Sequence, residues 1–286
     1  RSGVCSVGQV SSSLCLGYSY SIQRMNLDGT NRERLVSTVA SPEHFVVDET
    51  NGYIFYSNDI HIYRVNLDGS NPITYWTSSY YDLWSLAEDV SGGNLYWTVG
   101  TGSVWRADID DGGTVTELIY IDSALRVAVD NSGGKLYIKS DANGNQYGNL
   151  IQANLDGSNQ VDLGIIGASE VYPTSIKNGW IYYPDFYQTA MVARRSTDLS
   201  GTIERYASSH GFDLTGTIGP ASFDFNTADN KMYWINPVDG KVYSQSLADM
   251  YRLVTSLSVF GDVTIDPALN LAYASDIDGL YSMNFQ

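Results

Sequence analysis

A six-residue phrase, Asn-Leu-Asp-Gly-(Thr/Ser)-Asn, returns almost unchanged at residues 26–31, 66–71 and 154–159. Looser copies follow at 108–113, 197–201 and 246–249. The anchoring aspartates, Asp28, Asp68, Asp110, Asp156 and Asp198, are spaced by 40, 42, 46 and 42 residues. Self-similarity at such a period restricts the chain to stacked or radially repeated units, each too small to bury its own apolar face.

The segments around the phrase say which kind. Each copy follows an alternating stretch such as Ile-Tyr-Arg-Val-Asn-Leu (62–67) or Val-Trp-Arg-Ala-Asp-Ile (104–109). Period-two alternation running into Asp-Gly is a strand entering a tight hairpin turn. An aromatic dipeptide lies ahead of most of these strands: Phe55-Tyr56, Tyr96-Trp97, Tyr182-Tyr183 and Tyr233-Trp234, with weaker versions at Tyr137 and Tyr273. Ahead of those lie apolar runs, often closed by an acid, at 45–48, 125–130, 223–226 and 263–266. Short segments after the turns (34–36, 73–75, 117–119, 203–205, 253–255) supply a fourth strand. Four short antiparallel strands every 42 residues or so make a β-propeller blade. A helical solenoid would need 3.6-residue patterning, which these segments lack.

The unit Gly-Tyr-Ile-Phe-Tyr-Ser-Asn-x-x-x-Ile-Tyr-Arg-Val-Asn-Leu-Asp-Gly-Ser-Asn (52–71) resembles the YWTD repeat of β-propellers of the low-density-lipoprotein-receptor type. The resemblance runs over roughly residues 14–285, although no copy of the tetrad is complete: 55–58 reads Phe-Tyr-Ser-Asn and 96–99 Tyr-Trp-Thr-Val. Tyr75-Trp-Thr77 looks nearest to the motif, yet it lies six residues after Gly69, so it is assigned to an outer strand. The resemblance implies an all-β, six-bladed propeller of four-stranded antiparallel blades; seven blades are the alternative. Two closures are open. The strand near 262–266 completes the first blade and leaves the hairpin 271–285 surplus, or that hairpin completes a blade whose outer strand comes from 33–37. The expected organisation is an N-terminal segment, 1–16, followed by one propeller domain, 17–286.

Cys5 and Cys15 are the only cysteines. A lone close pair suits a local disulfide in an oxidising compartment, which would stabilise by about 2–3 kcal/mol; two free thiols are the alternative. The pair also looks like a remnant of the cysteine-rich module that flanks such propellers. The chain opens at Arg1, which suits a processed, secreted form, although a chain boundary would look the same. No N-glycosylation sequon occurs, and no run of apolar residues is long enough to span a bilayer.

Sixteen basic against 32 acidic residues leave a formal charge of −16. A nucleic-acid backbone demands the opposite sign, and an anionic membrane surface would repel the chain. Partners are therefore sought among extracellular glycans, glycoproteins and proteins.

Propeller topology sends alternate connections to opposite faces. One face collects short Gly-rich turns (50–52, 91–93, 132–134, 178–179) and the Asp-Gly copies, which is scaffold chemistry. The other collects loops that differ between blades and carry large side chains. Variable loops on a rigid frame are where recognition concentrates. The candidate ligand-binding residues are Tyr80, Tyr81, Trp84, Tyr147, Tyr172, Asp185, Phe186, Tyr187, His210 and Phe212. Exposed aromatics beside carboxamides and carboxylates suit sugar stacking or a protein hot spot.

Sharper motifs fail. Ser132-x-x-Lys135 spans a turn into a strand, whereas the penicillin-binding chemistry needs it on a helix. His44, His61 and His210 lack metal-ligand spacing, and Asp141-x-Asn143-x-Asn145 lacks the Gly and closing Glu of a calcium loop. The pairs Asp110-Asp111 and Glu88-Asp89 are read as solvated faces or turn caps. No catalytic residue, metal or cofactor is assigned. The leading expectation is a secreted, non-catalytic recognition protein of lectin type, forming oligomers if it agglutinates. A protein-binding receptor or matrix module is the alternative, and a calcium-dependent propeller hydrolase is the more distant rival.

Overall fold

The computed structural model describes residues 19–26, 30–31, 33–38, 44–79, 81–110, 114–141, 149–165, 175–177, 179–183, 192–198, 204–206, 222–226, 231–236, 241–246, 252–253, 263–266 and 271–278. Cys5, Cys15 and the whole segment 1–16 lie outside the described residues.

After β1 (Ser19–Asn26) and β2 (Glu33–Thr38), the chain lays down four strands at a time. The first set is β3 (Phe45–Asp48), β4 (Tyr53–Asn58), β5 (His61–Asn66) and β6 (Ile73–Thr77). The second is β7 (Leu83–Asp89), β8 (Asn94–Val99), β9 (Ser103–Asp108) and β10 (Thr116–Tyr120). The third is β11 (Ala124–Asp130), β12 (Lys135–Ser140), β13 (Asn149–Asn154) and β14 (Val161–Ile165). The fourth is β15 (Ser175–Lys177), β16 (Trp180–Tyr183), β17 (Val192–Ser196) and β18 (Glu204–Tyr206). The fifth is β19 (Ser222–Asn226), β20 (Lys231–Asn236), β21 (Lys241–Ser246) and β22 (Arg252–Leu253). Each set is one antiparallel sheet in chain order.

The last two strands, β23 (Val263–Asp266) and β24 (Leu271–Asp278), join the first two in the order β2-β1-β24-β23. Strands β1 and β24 pair from Ser19 opposite Asp278 to Asn26 opposite Leu271. The two closures left open by the sequence thus merge. The strand at 263–266 is the inner strand of this blade, and the terminal hairpin is not surplus, because it supplies the second strand as well. The inner strands β3, β7, β11, β15, β19 and β23 touch in succession, and β23 touches β3. Six four-stranded sheets thereby form a closed ring among the described residues.

The strand types follow from their neighbours. The second strands β4, β8 and β12 are buried along nearly their whole length. Each blade is covered on both faces by adjacent blades, so these strands read as continuous apolar runs rather than alternations. This is why the aromatic dipeptides recur: Tyr96 and Trp97 point to opposite faces, and both are fully buried. Burying an aromatic of this size contributes about 4–6 kcal/mol of gross transfer free energy. The core lies between blades. One cluster joins Phe55 and Ile62 of the first blade to Leu86, Leu95 and Trp97 of the second. Another joins Ile22, Leu35 and Val36 of the closing blade to Phe45, Ile54 and Tyr56 of the first.

Candidate functional site

The two faces of the ring are built from different chemistry. On the regular face, the polar residues of the repeated phrase each have a local task. The Asp68 Oδ1 accepts the Ser70 N–H at 2.9 Å. The Asp156 Oδ1 accepts both the N–H and the hydroxyl of Ser158, at 2.9 and 2.6 Å. The serine hydroxyls, then the backbone N–H groups, hold both carboxyls below the ordinary carboxylate range. The leading asparagines Asn26, Asn66 and Asn154 donate to the hydroxyls of Thr30, Ser70 and Ser158. The closing asparagines Asn31, Asn71 and Asn159 all adopt positive φ, at 52–53°. Gly69 also has positive φ (79°), and an added Cβ would stand 1.8 Å from the Leu35 carbonyl oxygen on the closing blade.

The acids that close the inner strands belong to the same scaffold. Asp48 accepts the N–H of Asn51 and Asp89 that of Gly92, each at 2.9 Å. Asp130 accepts the N–H groups of Ser132 and Gly133. All three acids are buried. Ser132 is therefore part of a turn cap, and Lys135 in β12 donates to the Asn154 side chain. Glu88 departs from its reading as a solvated face or cap. Its Oε2 is enclosed and has no hydrogen-bond partner among the described residues. Burial, reinforced by the charge of Asp48 and opposed by Lys177, pushes its pKa up to about 8. These two charges come from the first and fourth blades, so Glu88 stands towards the axis. Lys177 in turn pairs with Asp224 of the fifth blade at 3.6 Å.

Among the described residues, the opposite face carries two well-formed concavities. The first has a volume of about 530 Å³ and lies where the inner strands of three consecutive blades begin. His44 comes from the first blade, Asp82 and Trp84 from the second, and Ser123, Arg126 and Asp141 from the third. Trp84 is 40 % exposed. The Arg126 guanidinium donates to the Trp84 carbonyl, and its Nη1 also lies 2.5 Å from the His44 Nε2. Burial, then the Arg126 charge, drives the His44 pKa well below its ordinary value. The ring is therefore neutral at physiological pH, with Nε2 accepting from the guanidinium. Asp141 Oδ1 is enclosed without a partner among the described residues. The cavity thus offers an aromatic wall, a fixed cation and two carboxylates, and its size is that of a ligand site.

The second concavity, of about 400 Å³, lies nearer the rim between the first and second blades. Trp76, Tyr81, Trp105 and Tyr120 line it together with Ser103 and Glu117. Tyr81 is 49 % and Tyr120 64 % exposed. Gly100 sits where the two concavities approach each other: a Cβ there would lie 3.5 Å from the Trp84 Nε1 and 3.8 Å from the Tyr81 Cβ.

Of the residues expected to bind ligand, Tyr81 and Trp84 are described, and they stand in adjoining concavities of one face. Tyr80, Tyr147, Tyr172, Asp185, Phe186, Tyr187, His210 and Phe212 lie outside the described residues. Sequence reasoning missed Arg126 and the binding side of His44. Strand pairing gives His44, Ser85 and Arg126 equivalent places, each just before the residue opposite the second aromatic or its equivalent (Phe45–Tyr56, Leu86–Trp97, Val127–Ile138). Superposing the repeats shows three different side chains at one inner-strand position, and that is the signal. It also missed the outer-strand residues Trp76, Glu117 and Tyr120. Among the described residues, no group of three or more His, Cys, Asp or Glu side chains is placed to hold a metal.

No family model and no curated protein matches the sequence. Solved structures do. A chain of a nidogen/laminin complex aligns with TM-score 0.66 at 14 % identity, covering 85 % of this chain and 97 % of that one. A putative TolB from Agrobacterium tumefaciens aligns with TM-score 0.74 at 11 % identity, covering 92 % and 99 %. The WD40 repeats of RRP9 align with TM-score 0.56 at 12 % identity, covering 87 % and 70 %. At these identities the likeness is one of fold, and the fold is a β-propeller.

Proposed function

We propose that the chain is a secreted, non-catalytic recognition module, of the YWTD kind its repeats resemble, that takes a protein ligand on its irregular face. The carrying observation is the cavity where the first three blades meet. There Trp84 stands 40 % exposed beside a guanidinium already fixed by the Trp84 carbonyl and His44. A rigid aromatic flanked by a preorganised charge is the anatomy of a hot spot. Asp82 and Asp141 suit basic or hydrogen-bond-donating groups of the ligand, in keeping with the net charge of −16. One structural neighbour comes from a complex of nidogen with laminin, so this architecture does serve protein recognition there.

The test is capture of extracellular proteins on immobilised wild-type chain, Trp84→Ala and Gly100→Tyr. Gly100 has no positive φ, and an added Cβ there meets only ordinary van der Waals contacts, with Trp84 Nε1, Tyr81 Cβ and the Asp82 carbonyl oxygen at 3.5–3.9 Å, so a large side chain enters the cavity from its edge. A ligand retained by the wild type and lost with both variants supports the reading. A ligand held equally by all three refutes the assignment of this cavity.

A glycan ligand is the second reading. It is favoured by the rim concavity, where aromatic rings and hydroxyl groups alternate. A glycan array with an erythrocyte agglutination assay separates the two, and silence on several hundred glycans removes it.

A further inference from the structure

The rim concavity between the first and second blades adjoins the cavity around Trp84 but is lined by different residues, and its chemistry is specific. Four aromatic side chains line it, and each carries a polar group: the Tyr81 and Tyr120 hydroxyls and the Trp76 and Trp105 indole N–H groups. The Trp105 N–H is enclosed with no acceptor among the described residues, an unusual state for a buried donor. A chain of hydroxyls runs along the wall. Thr101 Oγ1 donates to Ser103 Oγ at 3.3 Å, and Ser103 Oγ donates to Glu117 Oε1 at 2.6 Å. An ionised carboxylate has about four acceptor positions, and Ser103 uses one of them. Ser78, buried on the same wall, accepts the Tyr81 N–H at 3.2 Å and keeps its own proton to donate. Among the described residues, no Lys or Arg lines the concavity.

We propose that this concavity is a binding site for a neutral pyranose sugar, an inference that rests on the glycan reading above. A pyranose has one face of C–H bonds and a rim of hydroxyls that both donate and accept. The aromatic rings match the first, because an apolar face packs on their negative π surface. Glu117 matches the second, since a hydroxyl donating to a carboxylate makes a short, charge-assisted bond. The Ser78 and Tyr120 hydroxyls supply donors for the ring and hydroxyl oxygens. The absence of any lining cation among the described residues, within a chain of charge −16, disfavours sulfated and sialylated sugars. The volume of about 400 Å³ lies in the range of small-ligand sites. A polypeptide anchor would instead call for a dry apolar pocket, and this wall is lined with hydroxyls.

The experiment uses the full chain and defined probes: galactose, glucose, mannose, N-acetylglucosamine and N-acetylgalactosamine displayed on a neutral polymer. Binding is read by surface plasmon resonance and by the fluorescence of Trp76 and Trp105. Tyr120→Ala and Glu117→Gln change exposed side chains and leave the fold intact, which circular dichroism checks. Each is expected to weaken binding of the preferred sugar about tenfold, the scale of a lost stacking or charged hydrogen-bonding partner, while Trp84→Ala leaves it unchanged. Binding lost with Trp84→Ala but kept by Tyr120→Ala and Glu117→Gln preserves the glycan reading and overturns this site. Binding by none of the five sugars, with capture of a deglycosylated protein that Tyr120→Ala abolishes, overturns both in favour of a polypeptide site. No binding of any probe by the wild-type chain also overturns the proposal.

Discussion

The regular and irregular faces of the ring use similar residues to opposite ends. On the regular face, the polar side chains of the repeated phrase satisfy one another within a single turn, as in Asp156 with Ser158 and Asn154, although Asn131 there also bridges to Val90 and Glu88 of the neighbouring blade. On the irregular face, polar groups reach across blades and leave capacity over. Arg126 spans to Trp84 and His44, while Asp141 and Trp105 each keep an enclosed atom without a partner among the described residues. A group satisfied locally is copied from blade to blade because its task is the same in each. A group satisfied at a distance is unique, because its partners are.

The hardest break of this contrast comes at Gly69. Gly69→Ala combines positive φ with a Cβ 1.8 Å from a backbone oxygen of the next blade. We expect a loss of about 3 kcal/mol or more, read by urea denaturation, with ligand affinity unaltered in the fraction that remains folded. Trp84→Ala should do the reverse. Its carbonyl, and hence the bond from Arg126, survives, so stability changes by under about 1 kcal/mol while ligand binding weakens by roughly 2 kcal/mol. Urea denaturation measures the first and calorimetric titration with the captured ligand the second.

The two ends of the inner strands should also titrate in opposite senses. His44, towards the irregular face, has a folded pKa below its usual 6.5, so the unfolded chain takes the proton first. Its contribution is complete above about pH 6.5 and declines on acidification, by at most about 1.4 kcal/mol per pH unit. Glu88, towards the regular face, is raised from 4.5 to about 8, so it holds its proton more tightly when folded. Its contribution is complete below pH 4.5 and is lost as the pH climbs to 8. Melting curves across this range should show His44→Gln easing the acid loss and Glu88→Gln easing the alkaline one. If neither variant alters the profile, these residues do not govern it. The smallest effect belongs to Asp156→Ala on the exposed regular face: a slight drop in melting temperature and no change in binding. Abolished binding at undiminished stability would reverse the assignment of faces.

The fold was legible because its turns are written in short range. Asn66, Asp68, Gly69, Ser70 and Asn71 fold one turn among themselves, so six consecutive letters carry the geometry. The aromatic dipeptides carry the blade stacking in the same way. The site was legible in part. Tyr81 and Trp84 announce themselves as large side chains in a stretch that reads as an irregular loop, although Trp84 belongs to the start of β7. Arg126 and His44 do not, because 82 positions separate them and each reads alone as a stray polar residue at the start of an apolar strand. Glu88 stands where Val47 and Val129 stand in the neighbouring blades, an acid in an apolar column. Its significance depends on Asp48 and Lys177, charges contributed by other blades. The merged closure was also out of reach, since nothing local in β1 says that its partner is β24.

That closure gives the molecule an order of assembly. Five blades are contiguous, so each can pair its own strands as soon as they are made. The sixth draws two strands from each end of the chain and joins residues some 250 positions apart. Until β24 docks on β1, the faces of the first and fifth blades that flank the gap remain uncovered. The slow step of folding should therefore be the docking of the two ends, as expected where a distant pairing must come last. The same seam is where the ring should first come apart under load, like a bracelet at its clasp.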